Sequence, residues 1–110
     1  MLRDMADGDT SYLDRVIGRF VADSPGVLDD LEAAVAGQDV DGVRHQAHRL
    51  AGNALNIGVP QVAELARLLE HIADEGTTDG AAEVLPRLGE ALASGRTALV
   101  DYQRGHRSQV

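Results

Sequence analysis

The sequence predicts an all-α domain: an antiparallel four-helix bundle with a short additional N-terminal helix. Three observations carry this. Ala, Leu, Glu, Arg and Gln are abundant, and no alternating β-branched or aromatic run argues for a strand. Apolar residues recur every three or four positions in successive stretches. Short connections marked by Gly or Pro separate those stretches, as antiparallel neighbours require. At 110 residues the chain is one domain, residues 1–110, with 1–8 and 104–110 expected to fray.

The first helix is expected from Asp9-Thr10-Ser11, which offer N-caps, with Leu13, Val16, Ile17 and Phe20 on one face. Ser24-Pro25 is expected to break it, Ser24 serving as the next N-cap and Pro25 as a first helical residue. Val27, Leu28, Leu31, Ala34 and Val35 form the second stripe, and Gly37 stops it. Asp39 can cap a third helix, whose stripe is Val40, Val43, Ala47, Leu50, Ala54 and Ile57, and Gly58 ends it. Pro60 starts the fourth, with Val62, Leu65, Leu69 and Ile72 inward. Gly76-Thr77-Thr78 is expected to end that helix and cap the last. The last helix uses Leu85, Leu88, Leu92, Leu99 and Tyr102, and Pro86 should kink it or mark its first turn.

Composition narrows the function. The formal charge is −8, and every basic side chain apart from the histidines is Arg, with no Lys. Such an acidic chain is a poor partner for nucleic acid or an anionic membrane surface. Without Cys there is no disulfide framework, zinc finger or thiol nucleophile. No apolar run approaches the ~18–20 residues of a membrane span, and no signal-peptide pattern opens the chain, so a cytoplasmic domain is expected. There is no glycine-rich nucleotide loop, so ATP use is not expected.

The third helix carries an unusual residue set. At about 100° per residue, His48 lies about 130° from the centre of the apolar stripe and should face solvent. Asp41, Arg44, His45, Ala51, Gly52 and Leu55 share that flank. One turn beyond His48 the helix is nearly bare, with Ala51 at i+3 and Gly52 at i+4. A mid-helix Gly costs about 1 kcal/mol relative to Ala, and close approach of another surface is one reason to bear that cost. Imidazole titrates near neutral pH and offers a nucleophilic nitrogen. An ordinary surface histidine on an Ala-rich helix fits the same spacing.

The stretch Ala47-His48-Arg49-Leu50-Ala51-Gly52-Asn53-Ala54-Leu55-Asn56-Ile57-Gly58, followed by Leu65, Leu69 and Glu70, resembles the signature of histidine-containing phosphotransfer (HPt) domains. Phe20, Ser24-Pro25, Leu28, Leu31 and the segment Asp39 to Val43 extend the likeness from about Leu13 to Ala98. The resemblance implies a four-helix bundle that relays phosphoryl groups. His48 would accept the group from a receiver-domain aspartate and pass it to another receiver. The partners would be receiver domains of response regulators or hybrid histidine kinases. The domain itself would be a monomer without membrane or nucleic-acid contact. It would bring no cofactor of its own, the receiver supplying Mg²⁺. Gly52 would match the glycine that admits the receiver, with Leu55 a further docking contact. Glu70 would match the position that accepts a hydrogen bond from imidazole Nδ1, leaving Nε2 free and more basic.

One departure matters. The family usually has Lys where this chain has Ala51, a cation suited to phosphoryl oxygens. Arg44, on the His48 flank, and Arg67, on the fourth helix, are the replacement candidates; Arg49 lies further round. A solvated surface charge is the ordinary reading of each. The alternative function is a helical adaptor, or a pseudo-HPt that docks a receiver without transfer. His45 and His48, at i and i+3, could share a metal, yet no third ligand or HExxH accompanies them. His71 and His106 have no motif and are expected on the surface. The opening Met1 to Asp9 resembles the lead-in of such a module behind a receiver, which favours a module of a hybrid kinase over a free protein.

Overall fold

The computed structural model describes the backbone of residues 2–108 and the side chains of residues 12–103. Four helices follow in order: α1 (Leu2–Ala36), α2 (Val40–Asn56), α3 (Pro60–Asp74) and α4 (Ala81–Ser108). Met1, Gln109 and Val110, part of the stretches expected to fray, lie outside the described residues. Consecutive helices pack side by side and α4 closes back on α1, so among the described residues the antiparallel bundle has four seams and no diagonal contact. The α2–α3 seam is the most extensive.

The core is aliphatic and rich in alanine. Ile17, Leu31, Val43, Val62, Leu69 and Leu88 are its largest fully buried side chains. Ala47, Ala54, Ala66, Ala73 and Ala81 are sealed between them. These small residues let the helix backbones approach closely, which fixes how near side chains on α2 and α3 can come.

The expected break at Ser24-Pro25 does not occur, and the short accessory helix is absent. α1 runs through Pro25 without interruption. Ser24 is 2% exposed, and its hydroxyl donates to the Phe20 carbonyl one turn back. Ser24 therefore acts as a mid-helix residue bonded to i−4, not as an N-cap. Pro25 removes one backbone bond. The stripes on either side of it still bury on one axis, Ile17 and Phe20 before it and Leu31 after it.

The helix ends follow their local chemistry. Past Ala36, the left-handed residue is Gln38 (φ 56°), not Gly37. Asp39 caps α2, its Oδ1 accepting from Gly42 N–H at 3.0 Å. A Cβ on residue 42 would fall 2.4 Å from the Asp39 carboxylate, so glycine there leaves room for the cap. α2 closes in a Schellman motif: Gly58 (φ 77°) donates to the Leu55 carbonyl and Val59 to the Ala54 carbonyl. Pro60 is the first residue of α3.

The last connection differs from expectation. Gly76 (φ 80°) does end α3, but Thr77 and Thr78 do not cap α4. Thr77 Oγ1 accepts from Asp79 N–H inside the loop, and the helix starts at Ala81 after Gly80 (φ 84°). Pro86 thus falls in the second turn rather than the first.

By residue count α1 spans about 52 Å and α2 about 26 Å, so α1 and α4 run past the α2–α3 pair. Gln103 Nε2 ties that extension by donating to the Asp14 carbonyl and carboxylate, both at 3.3 Å.

Candidate functional site

His48 sits in the middle of α2 on the side away from the core. Val43, Ala47, Leu50, Ala51 and Ala54 bury the opposite face. The imidazole is 74% exposed. Its Nδ1 lies 2.7 Å from Glu70 Oε2, a hydrogen bond across the α2–α3 seam. Glu70 stands on α3 one residue beyond buried Leu69, at the edge of the bundle, and its side chain is only 25% exposed. The carboxylate can only accept, so in the neutral ring Nδ1 carries the proton and Nε2 keeps its lone pair. The arrangement is therefore an exposed imidazole oriented through Nδ1, with Nε2 left unengaged.

An open groove runs beside it. His48, Ala51, Gly52 and Leu55 of α2 form one wall, and Arg67, Glu70, His71 and Asp74 of α3 the other. A Cβ on residue 52 would meet no atom within 4 Å, so nothing inside the chain requires glycine there. Leu55, half exposed, adds an apolar surface one turn further on.

The expected site residues divide. His48 and Glu70 meet, and Gly52, Leu55 and Arg67 line the groove with them. Ala51 lines it too but is not on a bare exposed flank. It is 4% exposed and belongs to the core, because the buried face of α2 reaches 40° past Ala47. Arg44 does not reach the groove and pairs instead with Asp41 on its own helix. Asp74 and His71 were not anticipated as groove residues. Arg67, Glu70, His71 and Asp74 are spaced three, one and three apart, so extending the Glu70 face one turn each way finds them. His71 is exposed and lies 3.7 Å from Glu75. The side chain of His106 is outside the described residues. Among the described residues no group of three His, Cys, Asp or Glu is placed to hold a metal ion. No helix among them is long and apolar enough to cross a membrane.

No curated protein matches this chain. Among solved structures it is similar to histidine-containing phosphotransfer protein B from Pseudomonas aeruginosa PAO1. That match has 26% identity and a TM-score of 0.80, covering 87% of this chain and 83% of the other. The family model described as the Hpt domain matches residues 15–98, a span that holds all of α2 and α3 and the groove between them. An exposed histidine oriented across a four-helix bundle is thus set in the sequence frame of that model, and the chain belongs to the Hpt domain family.

Proposed function

We propose that this domain is a phosphorelay intermediate in which His48 accepts a phosphoryl group from a receiver-domain aspartate and passes it to a second receiver. The observation that carries the reading is the 2.7 Å bond between His48 Nδ1 and Glu70 on an otherwise exposed ring. In the accepting step the Nε2 lone pair forms the N–P bond. The P–O bond to the receiver aspartate breaks, and its electron pair stays on that carboxylate. Positive charge develops on the ring as Nε2 is phosphorylated, and the Glu70 carboxylate at Nδ1 opposes it. The second transfer reverses these bond changes. Glu70 is thus a positioning residue: it holds the tautomer and ring angle and offsets the charge.

The chain brings no nucleotide-binding loop to this chemistry. The receiver supplies Mg²⁺ and the charge stabilisation that phosphoryl transfer needs. Gly52 and Leu55 form the smooth, partly apolar surface on which it docks, with Ala51 at the floor and Arg67 at the margin. Such a modest contact suits a transient signalling partner. The domain works as a cytoplasmic monomer.

The test is transfer from a ³²P-labelled receiver. Acid-labile, base-stable label on this chain that disappears in His48→Gln supports the reading. Tight receiver binding with no label would make the chain a docking adaptor instead, and label surviving in His48→Gln would move the acceptor elsewhere.

A further inference from the structure

A phosphoryl group on His48 would enter a groove already lined by two carboxylates, Glu70 and Asp74. At neutral pH it would bring nearly two further negative charges. Among the described residues Arg67 is the single arginine that lines the groove. Arg44 is paired with Asp41, and neither Arg44 nor Arg49 reaches it.

Arg67 is also uncommitted. Glu64 and Glu70 stand three residues before and after it, the spacing at which helical ion pairs form. Glu70 turns to His48 instead, and among the described residues Arg67 makes no ion pair or side-chain hydrogen bond. Its side chain is exposed and so free to swing over the groove. The Cβ atoms of residues 67 and 70 are about 5–6 Å apart, within the span of an arginine side chain. On the facing wall Ala51 ends at a methyl group, so no α2 side chain there competes for the space. A guanidinium offers paired N–H donors that match two phosphoryl oxygens.

We infer that Arg67 is the residue that holds the phosphoryl oxygens of phosphorylated His48, a cation brought to an α2 histidine from α3. The inference rests on His48 being the acceptor. Two features of the groove become one device: Glu70 fixes the nitrogen, and Arg67, one turn earlier on the same helix, receives what the nitrogen acquires.

The experiment loads the full chain with phosphoramidate, which needs no receiver. His48 Nε2 forms the new N–P bond, the P–N bond of the donor breaks, and its nitrogen leaves as ammonia after taking up a proton. ³¹P NMR then follows the phosphoryl group through pH in the wild type, Arg67→Gln and Arg67→Lys, with His48→Gln as control. A cation at the oxygens favours the dianion, so Arg67→Gln should raise the phosphoryl titration midpoint by roughly half a unit to one unit. Arg67→Lys should restore part of the shift. Superimposable wild-type and Arg67→Gln curves would overturn the role of Arg67 while leaving His48 as the acceptor. A wild-type signal that persists in His48→Gln, or no signal at all, would overturn both.

Discussion

Gly52 and Gly95 are both glycines inside helices, yet they sit in opposite surroundings. On α4, a Cβ at residue 95 would lie 3.0 Å from Val59 Cγ1, so glycine there lets α4 close on the start of α3. On α2, a Cβ at residue 52 would meet no atom within 4 Å. The first glycine is explained by packing within the chain. The second weakens its helix with no internal return, and it lies one turn from the exposed His48. Open space alone does not single out residue 52, since Gly18 and Gly26 of α1 also have room for a Cβ; its place in the groove wall one turn from His48 is what directs attention outside the chain.

Substitutions at the two glycines separate their roles. The largest effect is expected for Gly52→Gln. The side chain would stand in the groove beside His48, and a misfit of a few kcal/mol would slow transfer from a receiver by about a hundredfold. The melting temperature should hold or rise, since Gln is the better helix former. Unchanged transfer kinetics would show that the bare surface serves no partner. Next is Gly95→Leu, which overpacks the α3–α4 seam and should cost about 1–3 kcal/mol in urea unfolding. Transfer by the folded fraction should stay near the wild-type rate. A stability equal to wild type would mean the seam is looser than its 3.0 Å approach implies.

Glu70→Ala should slow phosphoryl acceptance about tenfold, the loss of one charge-assisted contact. It should also release the ring tautomer, visible in the ¹⁵N shifts of His48. An unaltered tautomer population would separate Glu70 from the ring. The smallest effect is Gly52→Ala, expected to stabilise the fold by about 0.5–1 kcal/mol by removing glycine's backbone freedom. Loss of stability there would point to a close contact within the chain.

Much of this was legible in the sequence, because helical spacing is a local property. The stripes on α2 and α3 set His48 outward and Leu69 inward, and the Asp39 cap and Gly58 stop lie where a capping carboxylate and a residue without Cβ predict them. What could not be read depends on packing between helices. Ser-Pro is a good helix start in isolation. Ser24 instead turns its hydroxyl to Phe20 because the two apolar stripes of α1 bury along one axis. On a single helix Ala51 is a gap beside His48, whereas in the bundle it is buried in the core. Arg44, on the His48 flank of its own helix, and Arg67, on the next helix, both stand as candidates in the sequence. The neighbouring Asp41 engages the first, while Glu70 turns away from the second.

With Glu70 at Nδ1, Nε2 is the nitrogen proposed to react. The most direct measurement is ¹⁵N–³¹P NMR of the chain after transfer from a phosphorylated receiver, which identifies the ring nitrogen bonded to phosphorus. The geometry predicts phosphorus on Nε2 of His48. Phosphorus on Nδ1, or on any other residue, would contradict it.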